Sequence, residues 1–414
     1  MGSTFISPNI SIDPSLAQRV LDEINPEETI AFLQDLVRVP SINPPGDVRR
    51  AIQLCDEKLA DAGFETKIVG ATPEKTNVIG TLRGMAGGPR LALNAHLDVV
   101  PIGDEAAWTY PPFGAEIADG RVYGRGAGDD KASVTAQVMA GVALARSGVP
   151  LGGTLIVTGV ADEETRGELG SGYIVREGHV DADFVIVGEQ TMNQICVAER
   201  GAVGVQVAVR GVAGHAATPW KGTNAIDGMG RVMTALRTEL WPILEQRTHR
   251  YLPCSSATIS MISGGVKTNV IPDCCEIYID RRILSGETPE RVAAEIQSVA
   301  ARAIAPVAGL RVEVTVKASR LARESDPDSL LGRALQEATR FLGNEPIIAG
   351  FFGGTDARHF VSKDRPIMIM GPGQGATAHT TDEWVGIDEV LEAAQLYALA
   401  ALALLGASGD ATAG

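Results

Sequence analysis

Four short segments of the chain, residues 91–95, 154–160, 184–187 and 366–370, are apolar on both faces, and helix-length stretches separate them. A strand with one wet face alternates polar and apolar residues. One that is apolar throughout must be covered on both sides, as in a parallel sheet packed between helices. The covering helices are read after Asp129, after Gly170, over 328–341 and from Asp388 onward. Near the N-terminus, Asn25-Pro26-Glu27-Glu28 has the order of a helix start: a capping Asn, a proline in the first turn, then acids. The expected fold class is therefore α/β, with a mainly parallel sheet flanked by helices.

The texture changes near Ala198. Residues 203–209 alternate like a half-exposed strand, a helix is expected from about 224 to 246, strands near 257–263 and 275–282, a helix over 289–303 and a strand over 311–316. Strand, helix, two strands, helix, strand is the split βαβ order of a small ferredoxin-like α+β sandwich. After Ser325 the doubly wound texture returns. At roughly 150 residues per domain, 414 residues call for more than one. The expected organisation is a discontinuous first domain over 1–197 and 321–414, with an inserted domain at 198–320.

Charge narrows the partners. Against 36 Lys and Arg stand 51 Asp and Glu, a net charge of −15, which repels phosphate backbones and anionic lipid. Neither nucleic acid nor a membrane is expected as a partner. The longest apolar run, 396–405, is about half a membrane span and reads as a buried C-terminal helix. Residues 1–20 lack the regions of a secretory leader, and Ile6 fails the myristoylation pattern that begins at Met1-Gly2. The five cysteines form no CxxC and suit small core residues in a reducing cytoplasm.

The strand ends carry the chemistry. Segment 91–95 delivers His96 and Asp98, which share a face at spacing two. Segment 154–160 leads to Asp162, Glu163 and Glu164; 184–187 leads through Gly188 to Glu189; 366–370 leads to His379. Asp129 follows Gly124-Arg125-Gly126 at the mouth of a helix. Open parallel sheets bind ligands beyond the carboxyl ends of their strands, so these groups are expected in one crevice. Carboxylates crowded together repel unless protonated or bridged by cations. Mixed imidazole and carboxylate donors without thiolate suit zinc, cobalt or manganese.

With these motifs in place the chain resembles the M20 metallopeptidase family, in its acetylornithine deacetylase/succinyl-diaminopimelate desuccinylase branch. The likeness runs from 33–46 (LQDLVRVPSINPPG) through His96-Leu97-Asp98, 124–131 (GRGAGDDK), Asp162-Glu163-Glu164, Gly188-Glu189, Gly214-His215, 269–272, 280–282 and Gly354-Thr355-Asp356 to His379-Thr380. The resemblance implies two divalent metal ions, zinc first, held by His96 and Glu189 on one side, Glu164 and His379 on the other, and Asp129 between them. It implies that Asp98 orients the His96 imidazole, that Glu163 is the general base, and that His215 stabilises an oxyanion. Asn269, Arg282 and Arg358 fall where family members bind the substrate carboxylate, although Arg358 could instead pair with Asp356. The implied reaction is hydrolysis of an N-acyl amino acid by a homodimer joined through the inserted lid domain, with an exopeptidase or dipeptidase acting on short peptides as the alternative. Asp130 and Gln190 depart from the family's usual Met and Pro. Asp130 either perturbs the metal site or turns away toward Lys131.

Overall fold

The structure, a computed structural model, describes residues 10–361 and 365–406. The myristoylation pattern at Met1, Gly2 and Ile6 lies outside them, as does most of the small-residue tail after Leu405. Two compact units form. The first comprises residues 1–197, 325–349 and 355–414; the second comprises 198–324 and 350–354.

The first unit is built on a mixed sheet with a parallel centre. Strands Thr154–Val160, Arg90–His96, Phe184–Val187 and Ile367–Ile369 lie side by side and parallel. Thr76–Arg83 and then Glu65–Gly70 add antiparallel strands at one edge. The adjacent pairs Leu91 and Ala92, Leu155 and Ile156, and Val185 and Ile186 are buried on opposite faces of their strands, as two-sided cover requires. The cover on one side is the helix Lys131–Ser147, buried along nearly its whole length and packed against the C-terminal helix Ile387–Leu405. That apolar C-terminal helix belongs to the core; among the described residues no helix is long and apolar enough to cross a membrane. The helix Pro26–Val37 starts as its sequence suggests, with the Asn25 side chain accepting the Glu28 N–H at 2.9 Å. Because the four central strands are parallel, their carboxyl ends share one edge of the sheet.

The second unit is a four-stranded antiparallel sheet with helices Ala225–Ala235 and Pro289–Ile304 packed on it. In chain order its strands are Gly201–Arg210, Ser256–Gly264, Cys274–Ile283 and Arg311–Arg320, and in space they run fourth, first, third, second. This is the ferredoxin-like arrangement. Val203, Val205, Val207 and Val209 put one face of the first strand into a core with Ile277, Ile279, Val232 and Ile296. The sequence suggests one helix over 224–246, but the structure breaks it into Ala225–Ala235, a wider π-type turn over Leu236–Leu240, and Trp241–Glu245. Pro242 is the cause: it has no N–H for the carbonyl four residues back, and its ring crowds that carbonyl, so the turn opens.

Candidate metal centre

The carboxyl edge of the first unit's sheet gathers the strand-end groups. His96 is the last residue of its strand and is buried. Its Nδ1 lies 2.9 Å from the Asp98 main-chain carbonyl and 3.6 Å from the Asp98 carboxylate, and its Nε2 lies 3.1 Å from Asp129 Oδ1. The other oxygen of Asp129, Oδ2, lies 3.1 Å from His379 Nε2, which is also 3.3 Å from Glu164 Oε2. Asp129 thus offers one oxygen to each imidazole. Two donor groups result: His96, Asp129 and Glu189, and Asp129, Glu164 and His379, the atoms of each lying within 4.8 Å of one another.

Local backbone explains the presentation. Glu163 and Glu164 are neighbours, and in an extended strand they would face opposite ways. Here Asp162 adopts a left-handed conformation (φ 73°) and the chain turns tightly over Glu163–Thr165. The Asp162 carboxylate accepts from Thr165 Oγ1 at 2.6 Å, from the Leu169 N–H at 3.1 Å, and from Lys75 Nζ. Asp98 then fixes both glutamates at once. Its Oδ1 accepts the Glu163 N–H (3.1 Å) and its Oδ2 the Glu164 N–H (3.2 Å), while Asn43 Nδ2 donates to Oδ2 at 2.8 Å. Glu189 is set by Gly188, where a Cβ would run 2.5 Å from Ser133 Cβ and 2.9 Å from Ala95 Cβ. Only glycine lets the chain pass between that helix and strand.

The electrostatics match the crowding. Burial pushes Glu189 up, reinforced by the charges of Glu163 and Asp129. Burial likewise pushes Glu163 well above the usual carboxylate range, helped by Asp356 and opposed by His96 and Arg358. Burial raises Glu164 as well. Hydrogen bonds to Asp129 and Glu164 lift His379 to about 10. Burial works against protonation of His96, yet its contacts to Asp129 and Asp98 raise it well above the ordinary imidazole value. Asp129 runs the other way: burial would raise it, and the two imidazoles outweigh that and hold it low. Such a crevice needs positive charge at its centre, and Glu164 Oε1 is buried there without a hydrogen-bond donor. The donor set fits two divalent cations sharing a carboxylate.

Asp130 is fully buried beneath this centre, its Oδ2 3.4 Å from the His96 N–H, and burial pushes its carboxyl up to about 8. It does not pair with Lys131, whose Nζ donates to the Val39 carbonyl at 2.7 Å. Arg358 lies at the site's rim, its Nη2 4.0 Å from Glu163 Oε1 and 3.8 Å from Asp356 Oδ1. His215, Asn269 and Arg282 belong to the second unit. His215 and Asn269 are exposed and adjacent there, the Ala216 N–H donating to the Asn269 carbonyl at 3.0 Å and His215 pairing with Val270. Arg282 is held by Asp280 at 2.8 Å. Asn43, which links Asp98 to Thr165 (3.1 Å), has no role in the sequence reading beyond its place in the 33–46 segment. That segment is its one signal: Ser41 and Asn43 run alongside Leu97–Val99, exchanging main-chain hydrogen bonds with Val99.

A parallel sheet whose carboxyl edge collects two imidazole–carboxylate groups around a shared aspartate is the frame of a metallohydrolase acting on amide or peptide bonds. The chain belongs to peptidase family M20/M25/M40, whose pattern matches residues 92–403. Among its relatives, a succinyl-diaminopimelate desuccinylase of Methylocella silvestris is 31% identical over 382 residues, covering 89% of this chain and 96% of that protein. The enzyme of the same name from Ruegeria pomeroyi is 32% identical over 372 residues, 88% and 95% of the two chains. Among solved structures, the aminopeptidase PepT of Bacillus cereus superposes with a TM-score of 0.74 at 22% identity, covering 92% of this chain and 99% of its own. The Bacillus subtilis YXEP protein, described as a dinuclear metal-binding peptidase of the M20 family, gives a TM-score of 0.71 at 18% identity over 94% and 98%. These likenesses to solved structures bear on the fold.

Proposed function

We propose that this protein is a two-metal amidohydrolase that cleaves the amide bond of an N-acyl amino acid. The observation that carries the reading is the placement of Asp129, whose two carboxylate oxygens each lie 3.1 Å from a different imidazole. His96 and Glu189 would hold one divalent ion, Glu164 and His379 the other, and Asp129 both, with zinc the first candidate and cobalt or manganese compatible with the same donors. When bound, such ions polarise an amide carbonyl and make water a stronger acid.

The chain's own residues supply the rest. Glu163 belongs to neither donor group and has a carboxyl raised by burial, which suits it to take a proton from the attacking water and return it to the leaving amine nitrogen. Arg358, between Glu163 and Asp356, balances the charge of the buried acids and is a further candidate to meet the substrate carboxylate. Asp98 fixes the turn that presents Glu163 and Glu164. His215 would stabilise the oxyanion, and Asn269 and Arg282 would grip the α-carboxylate of the substrate.

The names of the relatives at 31% and 32% identity support a deacylase over an exopeptidase, and make N-succinyl the first acyl group to test. A homodimer through the second unit is supported by its edge strand Ser256–Gly264, where Met261 is 69% and Ile262 59% exposed. A cytoplasmic location suits the five free cysteines.

The test is metal removal with a substrate panel. Chelator-treated protein should be inactive on N-succinyl and N-acetyl amino acids and regain activity with zinc or cobalt. Full turnover by metal-free protein would overturn the reading.

A further inference from the structure

Glu383 lies four residues beyond His379 and is completely buried. Its Oε1 accepts three main-chain N–H groups, those of Gly126, Gly128 and Asp129, each at 3.0 Å. Its Oε2 accepts Arg125 Nη1 at 2.5 Å, and its own carbonyl accepts the Gly124 N–H at 2.8 Å. One residue therefore takes donors from nearly every position of the loop that ends in Asp129. The loop can turn its N–H groups inward because Gly126 sits at φ +83°, where a Cβ would also run 2.5 Å from Val99 Cγ1. The other end of the arrangement is equally fixed. Trp384–Gly386 pairs antiparallel with Arg121–Tyr123, and the Asp382 carboxylate accepts the Thr109 and Tyr110 N–H groups at 2.8 and 3.2 Å.

We infer that Glu383 is a positioning residue that sets the carboxylate of Asp129 and ties its loop to the loop carrying His379. The inference rests on the two-metal reading above, and it adds a residue that belongs to neither donor group and whose side chain meets Asp129 at its main-chain N–H. A buried carboxylate ringed by main-chain N–H groups fixes backbone rather than side chain, so the direction of the Asp129 Cα–Cβ bond follows from it. Arg125 supplies the countercharge, itself buried and stacked over Trp108 at 5.1 Å. If Glu383 served only as half of a buried ion pair, three converging main-chain donors on one oxygen would be incidental to the site.

The test uses Glu383→Gln in the full chain. The substitution keeps the volume, removes the charge, and sets an NH2 against either Arg125 or the loop's N–H groups. Titration of metal-free protein with cobalt(II) ions, read by the visible spectrum of the bound ion, should show wild type taking up two ions and the variant binding about 10- to 100-fold more weakly with an altered spectrum. After reconstitution at saturating cobalt, kcat should fall while KM holds. Hydrogen exchange on metal-free protein should show the amides of Gly126, Gly128 and Asp129 protected in wild type and faster in Glu383→Gln, with the rest of the first unit unchanged. A folded Glu383→Gln protein that binds both ions with wild-type affinity overturns the inference. Should that variant not fold, unprotected Gly126, Gly128 and Asp129 amides in native wild type overturn it equally. A wild type that binds fewer than two cobalt ions would instead overturn the two-metal reading, and the amide exchange would still decide the role of Glu383.

Discussion

Replacing Asp98 by Asn changes the charge of a fully buried side chain without changing its volume, and all three of its close side-chain contacts are donors. A carboxylate accepts from both oxygens; an amide accepts from one. Turned one way, the amide faces its NH2 to the Glu163 N–H; turned the other way, it faces the Glu164 N–H and Asn43 Nδ2. The cheaper orientation leaves the Glu163 N–H without an acceptor, at about 1–3 kcal/mol for a buried donor, and strips the charge from the two remaining bonds, roughly another 1 kcal/mol. Asp98→Asn should therefore lower stability by about 2–4 kcal/mol in urea unfolding of chelator-treated protein. The same change frees the turn that aims Glu163 and Glu164, and a misplacement near 1 Å in a reacting group costs about 10²-fold in rate. Turnover of metal-reconstituted Asp98→Asn should fall by that order with KM little changed. A variant within about 0.5 kcal/mol and twofold of wild type would refute the view that this carboxylate holds the turn.

Glu163→Gln should take up both metal ions and lose about 10²–10⁴-fold in kcat, measured beside a cobalt titration, because only the proton carrier is removed. Acid stability offers a test far from the site. Glu28 is held down to about 2 by its hydrogen bonds to Arg146 and Lys58, which join three helices. A depressed carboxyl stabilises the fold above its unfolded value near 4.5, and that contribution disappears as pH falls toward 2. Because Arg146 is 39% exposed, solvent screening reduces the contribution to about 1 kcal/mol. Glu28→Gln should trail wild type by that amount from pH 5 to 8 and converge with it only as pH falls through the window from about 4.5 toward 2 in urea titrations. The proposed homodimer is tested on the second unit: wild type should sediment as a dimer and Ile262→Lys on the exposed edge strand as a monomer with an unchanged circular dichroism spectrum, and a monomeric wild type would refute it.

The sheet and the gathering of five imidazole and carboxylate side chains at its edge were legible because each rests on a local rule. Strands apolar on both faces must be central and parallel, parallel strands share a carboxyl edge, and whatever follows them meets there. His96, Glu164, Glu189 and His379 all follow this logic, and Asp129 heads the buried helix. What stayed illegible depends on partners far away in sequence. The left-handed turn at Asp162 is one case: its carboxylate accepts from Thr165 and Leu169 nearby but also from Lys75, 87 residues earlier, which no local pattern announces. The helix over 224–246 reads as continuous because its periodicity survives Pro242; the proline widens the turn before it and leaves the apolar face aligned.

Asp98 and Asn43 make the same point about the site. Spacing two on a strand places Asp98 behind His96, and it lies there, but the shorter contact to the imidazole comes from the Asp98 main-chain carbonyl. Its carboxylate is occupied with the backbone of the next strand's loop and with Asn43, 55 residues earlier. Glu383 relates to Asp129 in the same manner across 254 residues. In both cases a buried carboxylate takes main-chain N–H groups from a loop that carries a donor residue, so that side-chain direction is inherited from backbone. The donors themselves then need few contacts of their own. Sequence patterns find groups that meet an ion or a substrate; those that hold them in place carry no signature except an acid or amide next to a motif.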